Sequence, residues 1–300
     1  MDGSVAVTSR SRTLGQILVV LVVLALVAAA SASAATEDLY WTDVGPFLSG
    51  TTIARANLEG GEVDQSFITG LSGPVGIAAN TSNIFWSNAE PGCGGSTIGR
   101  ATLAGTELDP SFISGASCPH GLAVTSKYIF WANRLGTTIG RADLNGKEAN
   151  SSFISGAEGP HDVAVAGKWV YWSNFNGTSI GRATVSGTDV NPHFITGLSA
   201  PAGISIDGKY LYWANLGTSS IGRAKTNGKR VKANFITGTD YALDVLAHGS
   251  YLYWTNYGSP PGSASGGGES IGRATLEGKS INESFIAGLN SPGYITVAPT

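Results

Sequence analysis

The chain has 300 residues and a formal net charge of −3, with 42 glycines, 42% hydrophobic residues and only 13% charged residues. This composition is too hydrophobic for an intrinsically disordered protein and too rich in glycine for a helical bundle. It favours an all-β fold with many tight turns. Lys and Arg do not cluster in the sequence, which argues against nucleic acid as a partner because phosphate backbones need a basic surface.

The first predicted element is a secretory signal peptide over residues 1–34. Arg10 and Arg12 precede an unbroken apolar run at 17–30, and the small residues at 32–34 suit cleavage by a signal peptidase. The run is shorter than the roughly 20 residues of a spanning helix, so an uncleaved anchor is the alternative. Both interpretations place the rest of the chain outside the cytoplasm, either secreted or in the cell envelope. If the segment is cleaved, the mature form has no membrane span.

From residue 38 to the C-terminus, one sequence unit recurs six times. Each copy contains a tryptophan, then an Arg-Ala step, then a Phe-Ile pair. The tryptophans, spaced by 45, 45, 41, 41 and 41 residues, are Trp41, Trp86, Trp131, Trp172, Trp213 and Trp254. The arginines are Arg55, Arg100, Arg141, Arg182, Arg223 and Arg273. Because no linker interrupts the copies, we expect one domain over residues 35–300.

Each copy contains four short β-favouring runs separated by Gly, Asn or Asp turn residues. In the fifth copy the runs are 202–206, 210–214, 220–225 and 233–237. Four antiparallel strands in about 40 residues form a propeller blade, whereas no segment shows the 3.6-residue periodicity of a helical solenoid. The sequence therefore predicts an all-β fold, a six-bladed β-propeller of four-stranded antiparallel blades.

The two ends of the repeat region complement each other. The first copy begins at a second-strand sequence, 39–42, and lacks an innermost strand of its own. Residues 293–297 match the innermost strands of the other copies but have no second strand after them. We expect these two segments to pair in one sheet and close the ring.

The repeated side chains are interpreted as structural, because a residue that recurs in every blade is one that every blade needs. We expect the tryptophans to pack between neighbouring sheets. The arginines are expected to donate to carbonyls or to the turn of the adjacent blade. An asparagine lies two residues after each tryptophan from the second copy onwards. We expect it to bond the backbone of the turn that leaves its strand.

The chain has two cysteines, Cys93 and Cys118. Cys93 lies in the loop that leaves the second strand of one blade, and Cys118 in the loop that leads from that blade to the next. Strands alternate in direction, so both loops emerge on the same face, and an exported chain allows oxidation. We predict a disulfide between them; two free thiols or a metal pair are the alternatives, although two ligands alone are few for a metal.

Candidate functional residues lie where the copies differ on that same face. His120 and His161 begin the innermost strands of adjacent blades, with Asp162 directly after His161. They form the one cluster in the sequence suited to metal or acid–base chemistry, and two solvated loop histidines are the alternative. No motif or third ligand of recognisable spacing completes a metal or catalytic site. We therefore predict no catalytic residue, metal ligand or cofactor.

Apolar and aromatic side chains also occupy loop tips on this face. Phe175, Leu216 and Tyr257 each follow the asparagine that ends a second strand. Such residues indicate a contact surface, although packing of the loops against each other would also explain them. The predicted ligand-binding set is therefore His120, His161, Asp162, Phe175, Leu216 and Tyr257.

The first copy resembles a known repeat. Tyr40-Trp41-Thr42-Asp43, followed by Ile-x-Arg-Ala-x-Leu-x-Gly from residue 53 and Gly-Pro-x-Gly-Ile-Ala at 73–78, is similar to the class B (YWTD) repeat of low-density lipoprotein receptors. That family forms six-bladed β-propellers, and the resemblance covers about 260 residues. Asn replaces the family's Asp in the later copies, and the epidermal-growth-factor-like modules of the receptors are absent from the sequence. The resemblance thus implies the fold more than a receptor function.

A second resemblance suggests a competing function. The phrase Pro-His-Gly-x-Ala-Val at 119–124 and the Ile-Gly-Arg steps look like those of virginiamycin B lyase, a propeller enzyme that uses a metal with acidic and histidine residues. The leading hypothesis is a secreted or envelope-associated binding scaffold whose loop-rich face holds a protein, glycan or small ligand. The alternative is a metal-dependent propeller enzyme of the virginiamycin B lyase type. We expect a monomer in either case.

Overall fold

The computed structural model describes residues 1–3, 37–258 and 268–299. The predicted signal peptide lies outside the described residues, apart from 1–3. Contacts divide the chain into the units Met1–Ala34 and Ala35–Thr300, and all strands of the described residues belong to the second unit. Within the described ranges, none of the helices has the length and hydropathy that a membrane crossing requires.

The described part of the chain forms 24 strands and three short 3₁₀ turns. The strands of the first three blades are β1 (Glu37–Asp43), β2 (Ile53–Asn57), β3 (Asp64–Ile68), β4 (Pro74–Ala79), β5 (Asn83–Asn88), β6 (Thr97–Thr102), β7 (Asp109–Ser114), β8 (Pro119–Val124), β9 (Tyr128–Asn133), β10 (Thr138–Asp143) and β11 (Asn150–Ser155).

The remaining strands are β12 (Pro160–Ala166), β13 (Trp169–Asn174), β14 (Ser179–Thr184), β15 (Asn191–Thr196), β16 (Pro201–Asp207), β17 (Tyr210–Asn215), β18 (Ser220–Lys225), β19 (Lys232–Thr237), β20 (Ala242–His248), β21 (Tyr251–Asn256), β22 (Ser270–Thr275), β23 (Asn282–Ala287) and β24 (Pro292–Pro299). The 3₁₀ turns are Pro46–Leu48, Pro91–Cys93 and Leu216–Thr218.

The strands form six antiparallel sheets of four, which confirms the predicted six-bladed propeller. The first blade has the order β24-β1-β2-β3, and the second to sixth blades take β4–β7, β8–β11, β12–β15, β16–β19 and β20–β23 in turn. The innermost strands β4, β8, β12, β16, β20 and β24 contact one another around the ring and surround a central channel.

The repeated tryptophans pack between the blades, as predicted, and none is more than 1% exposed. Trp172, for example, shares a buried cluster with Phe130 and Ala132 of the preceding blade. The residue opposite Trp172 in β14 is Gly181, where a Cβ would lie 2.1 Å from the indole ring. Glycine thus recurs at this position because the indole fills the space that a larger side chain would need.

Three of the repeated arginines, Arg141, Arg223 and Arg273, donate to a carbonyl of the adjacent blade, as predicted. Arg141 donates to the carbonyl of Val185 in the next blade at 3.2 Å, and its guanidinium lies 3.7 Å from the centre of the Phe153 ring. The asparagines behave differently from the prediction. Asn133 accepts from the Trp131 indole at 3.1 Å and donates to the carbonyl of Ser151 in the outermost strand at 2.7 Å. The asparagine therefore ties the blade together instead of serving only its local turn.

The ring closes through the predicted pairing of the last strand with the first. Strand β24 lies antiparallel to β1, with Leu39 opposite Val297. Trp41 lies opposite Ile295, and both side chains belong to one buried cluster with residues of the sixth blade. The C-terminal strand thus completes the first blade and its packing against the last one.

The predicted disulfide between Cys93 and Cys118 is present, with 5.0 Å between the Cα atoms. Cys93 ends the 3₁₀ turn Pro91–Cys93, and Cys118 directly precedes β8. The bond therefore links a loop of the second blade to the start of the third. Cys118 is buried in the hydrophobic cluster that contains Val44 and Val75.

Reduction of this disulfide is expected to lower the melting temperature by several degrees without unfolding the domain. The bond closes a loop of 25 residues, which stabilises by about 3 kcal/mol in the chain-entropy model. Calorimetry with and without a reductant measures the shift. A Cys93→Ser, Cys118→Ser variant should melt at one temperature in both buffers. Two titratable thiols in the denatured, non-reduced protein would contradict the bond.

Candidate functional site

A pocket of about 240 Å³ opens at the end of the ring where the innermost strands begin. We call it the mouth pocket. Its aliphatic walls are Val44, Leu48, Val75, Leu216 and Leu243. Its polar and aromatic residues are His120, Arg134, His161, Phe175, Tyr257 and Tyr294. The side chains come from the first residues of the innermost strands and from the loops after the second strands. These are the two sets of positions at which the sequence copies differ.

Five of the six predicted ligand-binding residues line this pocket: His120, His161, Phe175, Leu216 and Tyr257. The loop residues also pack on each other, because Leu216 is buried with Leu243 while Phe175 and Tyr257 lie against them. Loop packing and a shared concave surface therefore occur together. Ligand binding by these residues stays a prediction.

The structure does not bring Asp162 into the mouth pocket. Asp162 faces the central channel below, where its two carboxylate oxygens accept the backbone N–H groups of Val163 and Ile204, both at 2.8 Å. Asp244 lines the same channel and accepts the N–H groups of Val245 at 2.8 Å and Ile295 at 2.9 Å. Each aspartate thus joins its own blade to the backbone of a neighbouring blade.

The two channel aspartates are buried, each with 4% of its surface exposed. Burial raises the pKa of Asp244 to about 7 against the pull of its two N–H donors. Burial also raises the pKa of Asp162 well above its usual range, and the charge of Asp244 adds to that shift. Both carboxyl groups therefore bind a proton at a higher pH than an exposed aspartate does.

Tyr294 crosses the ring from the first blade to the fourth. Its hydroxyl lies 2.5 Å from Nδ1 of His161 and 3.1 Å from the His161 carbonyl oxygen. Tyr294 lines both the mouth pocket and the central channel, so it forms the floor that separates them. Burial raises the pKa of Tyr294 well above its ordinary value, which keeps the hydroxyl protonated.

His120 is a buried histidine of the mouth pocket. Its side chain is 7% exposed, and neither ring nitrogen has a partner among the described residues. Its ring meets the His161 ring edge-on, with 5.0 Å between centres. Burial and then the nearby Arg134 charge lower the pKa of His120 to about 3, and burial also lowers the pKa of His161 well below its usual value. Both imidazoles are therefore neutral at physiological pH.

Arg134 supplies the positive charge of the mouth pocket. Its guanidinium lies 4.4 Å from the centre of the Phe175 ring, and Nη1 donates to the Asn176 side chain at 3.3 Å. Phe175 in turn stacks on His161, with 4.9 Å between ring centres. Burial lowers the pKa of Arg134. Within the described ranges, no carboxylate forms an ion pair with it.

One group of potential metal ligands adjoins the pocket. The ligand atoms of Cys93, Cys118 and His120 lie within 4.8 Å of one another. Both sulfurs are held in the disulfide, whereas a cysteine binds a metal as a free thiolate. In the oxidised protein only the imidazole of His120 remains as a donor, and one donor does not make a metal site.

Searches against protein-family models and curated proteins find no match for the sequence. Solved structures match its fold. The nidogen YWTD propeller of a nidogen/laminin complex has a TM-score of 0.70 at 19% identity, with 87% of this chain and 98% of that chain covered. Virginiamycin B lyase from Staphylococcus aureus has a TM-score of 0.58 at 19% identity, with 88% and 96% covered. These neighbours include both propeller groups that the sequence resembles, and at such identities they show the fold alone.

The predicted ligand-binding set left out two polar residues that line the mouth pocket, Tyr294 and Arg134. The position of Tyr294 in the other copies holds Gly or Asp, and a single large aromatic among small residues was the available signal. Arg134 occupies the same loop position as the predicted Phe175, Leu216 and Tyr257. Arg134 stands out because no carboxylate of the described residues pairs with its guanidinium, and the sequence alone does not show this.

Proposed function

We propose that this protein is an extracytoplasmic binding protein that holds a small ligand in the mouth pocket. The observation that carries the proposal is His120, whose buried ring nitrogens have no partner among the described residues. Buried polar atoms in native proteins are satisfied in nearly every case. A concave site with apolar walls and a few convergent polar groups is the usual form of a small-molecule site, and the mouth pocket has this form.

The extracytoplasmic location is part of the proposal. The disulfide between Cys93 and Cys118 supports it, because such bonds persist in oxidising compartments. The apolar run at 17–30, after Arg10 and Arg12, supports it from the sequence.

The metal-dependent enzyme is the weaker candidate because the donor set does not fit it. The resemblance to the lyase implies acidic and histidine ligands, but no Asp or Glu lines the described mouth pocket. The oxygens of Asp162 and Asp244 accept backbone N–H groups in the channel below. His161 already bonds Tyr294. We therefore derive no catalytic step through a metal.

A His120→Ala, His161→Ala variant is expected to lose small-ligand binding. Three probes of one shape but different charge are titrated by calorimetry: phenylacetate, phenylacetamide and phenethylamine. At least one should bind the parent protein, and the double variant should bind it at least about tenfold more weakly. Far-UV circular dichroism checks that the variant keeps its β-sheet fold.

The matched control substitutes the other two histidines of the chain, His193 and His248. Neither lines the mouth pocket, so His193→Ala, His248→Ala should bind the probe as the parent does. His120→Phe keeps an aromatic ring, slightly larger than imidazole, and removes the nitrogens, so it separates lost binding from lost packing. Failure of all three probes to bind, or equal affinity of variant and parent, would reject the proposed function.

A further inference from the structure

We infer that the ligand of the mouth pocket is a small monocarboxylate with a compact apolar body. The inference rests on the proposed function and specifies the chemistry of the same site. It follows from the distribution of charge around the pocket and from the guanidinium of Arg134, with which no carboxylate of the described residues pairs.

The polar and apolar side chains of the mouth pocket come mainly from different blades of the ring. The pocket's nitrogen-bearing groups, His120, Arg134 and His161, come from the third and fourth blades. The hydroxyl of Tyr257, from the sixth blade, is the other polar group on the walls. The other blades contribute mainly aliphatic walls, including Val44, Val75, Leu216 and Leu243. A ligand that fills this space therefore meets donors at one end and apolar side chains at the other. An amphipathic molecule matches that arrangement better than a uniformly polar or apolar one.

Arg134 favours an anion at the polar end. The guanidinium has a single side-chain hydrogen bond, to Asn176, and stacks on Phe175. No carboxylate pairs with it in the described ranges, and the sequence has no Asp or Glu at 4–36, 259–267 or 300. A partly buried guanidinium with a single side-chain acceptor favours a further one, and a carboxylate can accept two parallel N–H bonds from it.

The mouth pocket suits a ligand that carries one negative charge. His120 and His161 are neutral, since burial depresses the pKa of both, and Tyr294 is protonated. Arg134 is therefore the single cation among the pocket residues. A monoanion neutralises it, whereas a phosphate dianion would leave one negative charge without a partner in a partly buried site. The free ring nitrogens of His120 offer a further hydrogen bond at the same end.

The apolar end limits the body of the ligand. Leu216 and Leu243 are buried against each other, with Phe175 and Tyr257 packed on them. A pocket of about 240 Å³ accommodates one ring or a short branched chain. Phenylacetate combines such a body with one carboxylate, and acetate supplies the carboxylate alone.

The test compares phenylacetate with its neutral isostere phenylacetamide, with phenethylamine and with acetate by titration calorimetry. The parent should bind phenylacetate at least about tenfold more tightly than each of the other three. Added salt should weaken phenylacetate binding and leave any phenylacetamide binding unchanged. Arg134→Gln should bring the affinities for phenylacetate and phenylacetamide together, and Arg134→Lys should restore part of the preference.

Arg100→Gln is the matched control because it removes one guanidinium that stacks on Phe112 and does not line the pocket. This variant should keep the full preference for phenylacetate. Equal binding of phenylacetate and phenylacetamide by the parent would overturn the inference and leave the proposed function standing. A preference that survives Arg134→Gln, or acetate binding as tight as that of phenylacetate, would also overturn it. Failure of every probe would reject the proposed function itself.

Discussion

Removal of residues 291–300 is expected to unfold the propeller in one cooperative transition below physiological temperature. The deletion takes away β24, which pairs with β1 along most of its length. It exposes β1 as an edge strand and opens the buried cluster of Leu39, Trp41 and Ile295. It also removes the Ile295 N–H group that Asp244 accepts and the Tyr294 hydroxyl that bonds His161. Contacts with several blades are therefore lost together.

Thermal unfolding followed by circular dichroism measures this effect. The matched control deletes only residues 299–300, which leaves the pairs from Asp38 to Asp43 in place, and it should melt close to the parent. A synthetic peptide of residues 291–300 should raise the melting temperature of the truncated protein, because it can replace the missing strand. An unchanged melting temperature after the long deletion would contradict closure of the ring by β24.

The fold could be predicted from the sequence because each blade repeats the same local sequence pattern. Trp172 and Arg182 have equivalents in all six copies, and Gly181 has equivalents in the second to sixth. Six weak strand patterns therefore supported one another. The closing pair was predictable by counting strands, since 39–42 lacked an inner neighbour. The disulfide followed from the same topology, because alternating strands bring the loops of Cys93 and Cys118 to one face.

The site was predictable in position but less so in chemistry. Alignment of the copies placed His120, His161 and Tyr257 at the channel mouth, where the structure has them. Asp162 was grouped with His161 because it is the next residue. Successive residues of a strand point in different directions, and the N–H groups of neighbouring strands hold Asp162 in the channel. The reach of Tyr294 across the ring depends on the ring diameter, which no local pattern encodes.

Two single substitutions, one at His120 and one at Asp244, are expected to change the slope of the free energy of unfolding against pH in opposite directions. His120 has a pKa of about 3 in the folded protein and about 6.5 when unfolded. Its contribution to stability is present above pH ~6.5 and is lost as the pH falls toward ~3. Asp244 has a pKa of about 7 in the folded protein and about 3.9 when unfolded. Its contribution is present below pH ~3.9 and is lost as the pH rises toward ~7.

The two effects overlap between pH ~4 and ~6.5, where unfolding adds a proton to His120 and releases one from Asp244. These two proton changes offset each other in the parent, where His161 and Asp162 also have shifted pKa values, one lowered and one raised. His120→Phe leaves the release from Asp244, so the free energy of unfolding should fall with rising pH by about 1.4 kcal/mol per unit relative to the parent. Asp244→Asn leaves the uptake by His120, so the free energy should rise with pH by a similar amount.

Urea denaturation at several pH values inside this window measures the three slopes. The comparison uses slopes because Asp244→Asn also loses an acceptor for the N–H groups of Val245 or Ile295, which lowers stability at every pH. The double variant His120→Phe, Asp244→Asn should return to the slope of the parent. Parallel slopes in the parent and both single variants would show that neither group changes its proton affinity on folding. Opposite slopes would establish that a neutral imidazole and a protonated carboxyl are both buried along the axis of the ring.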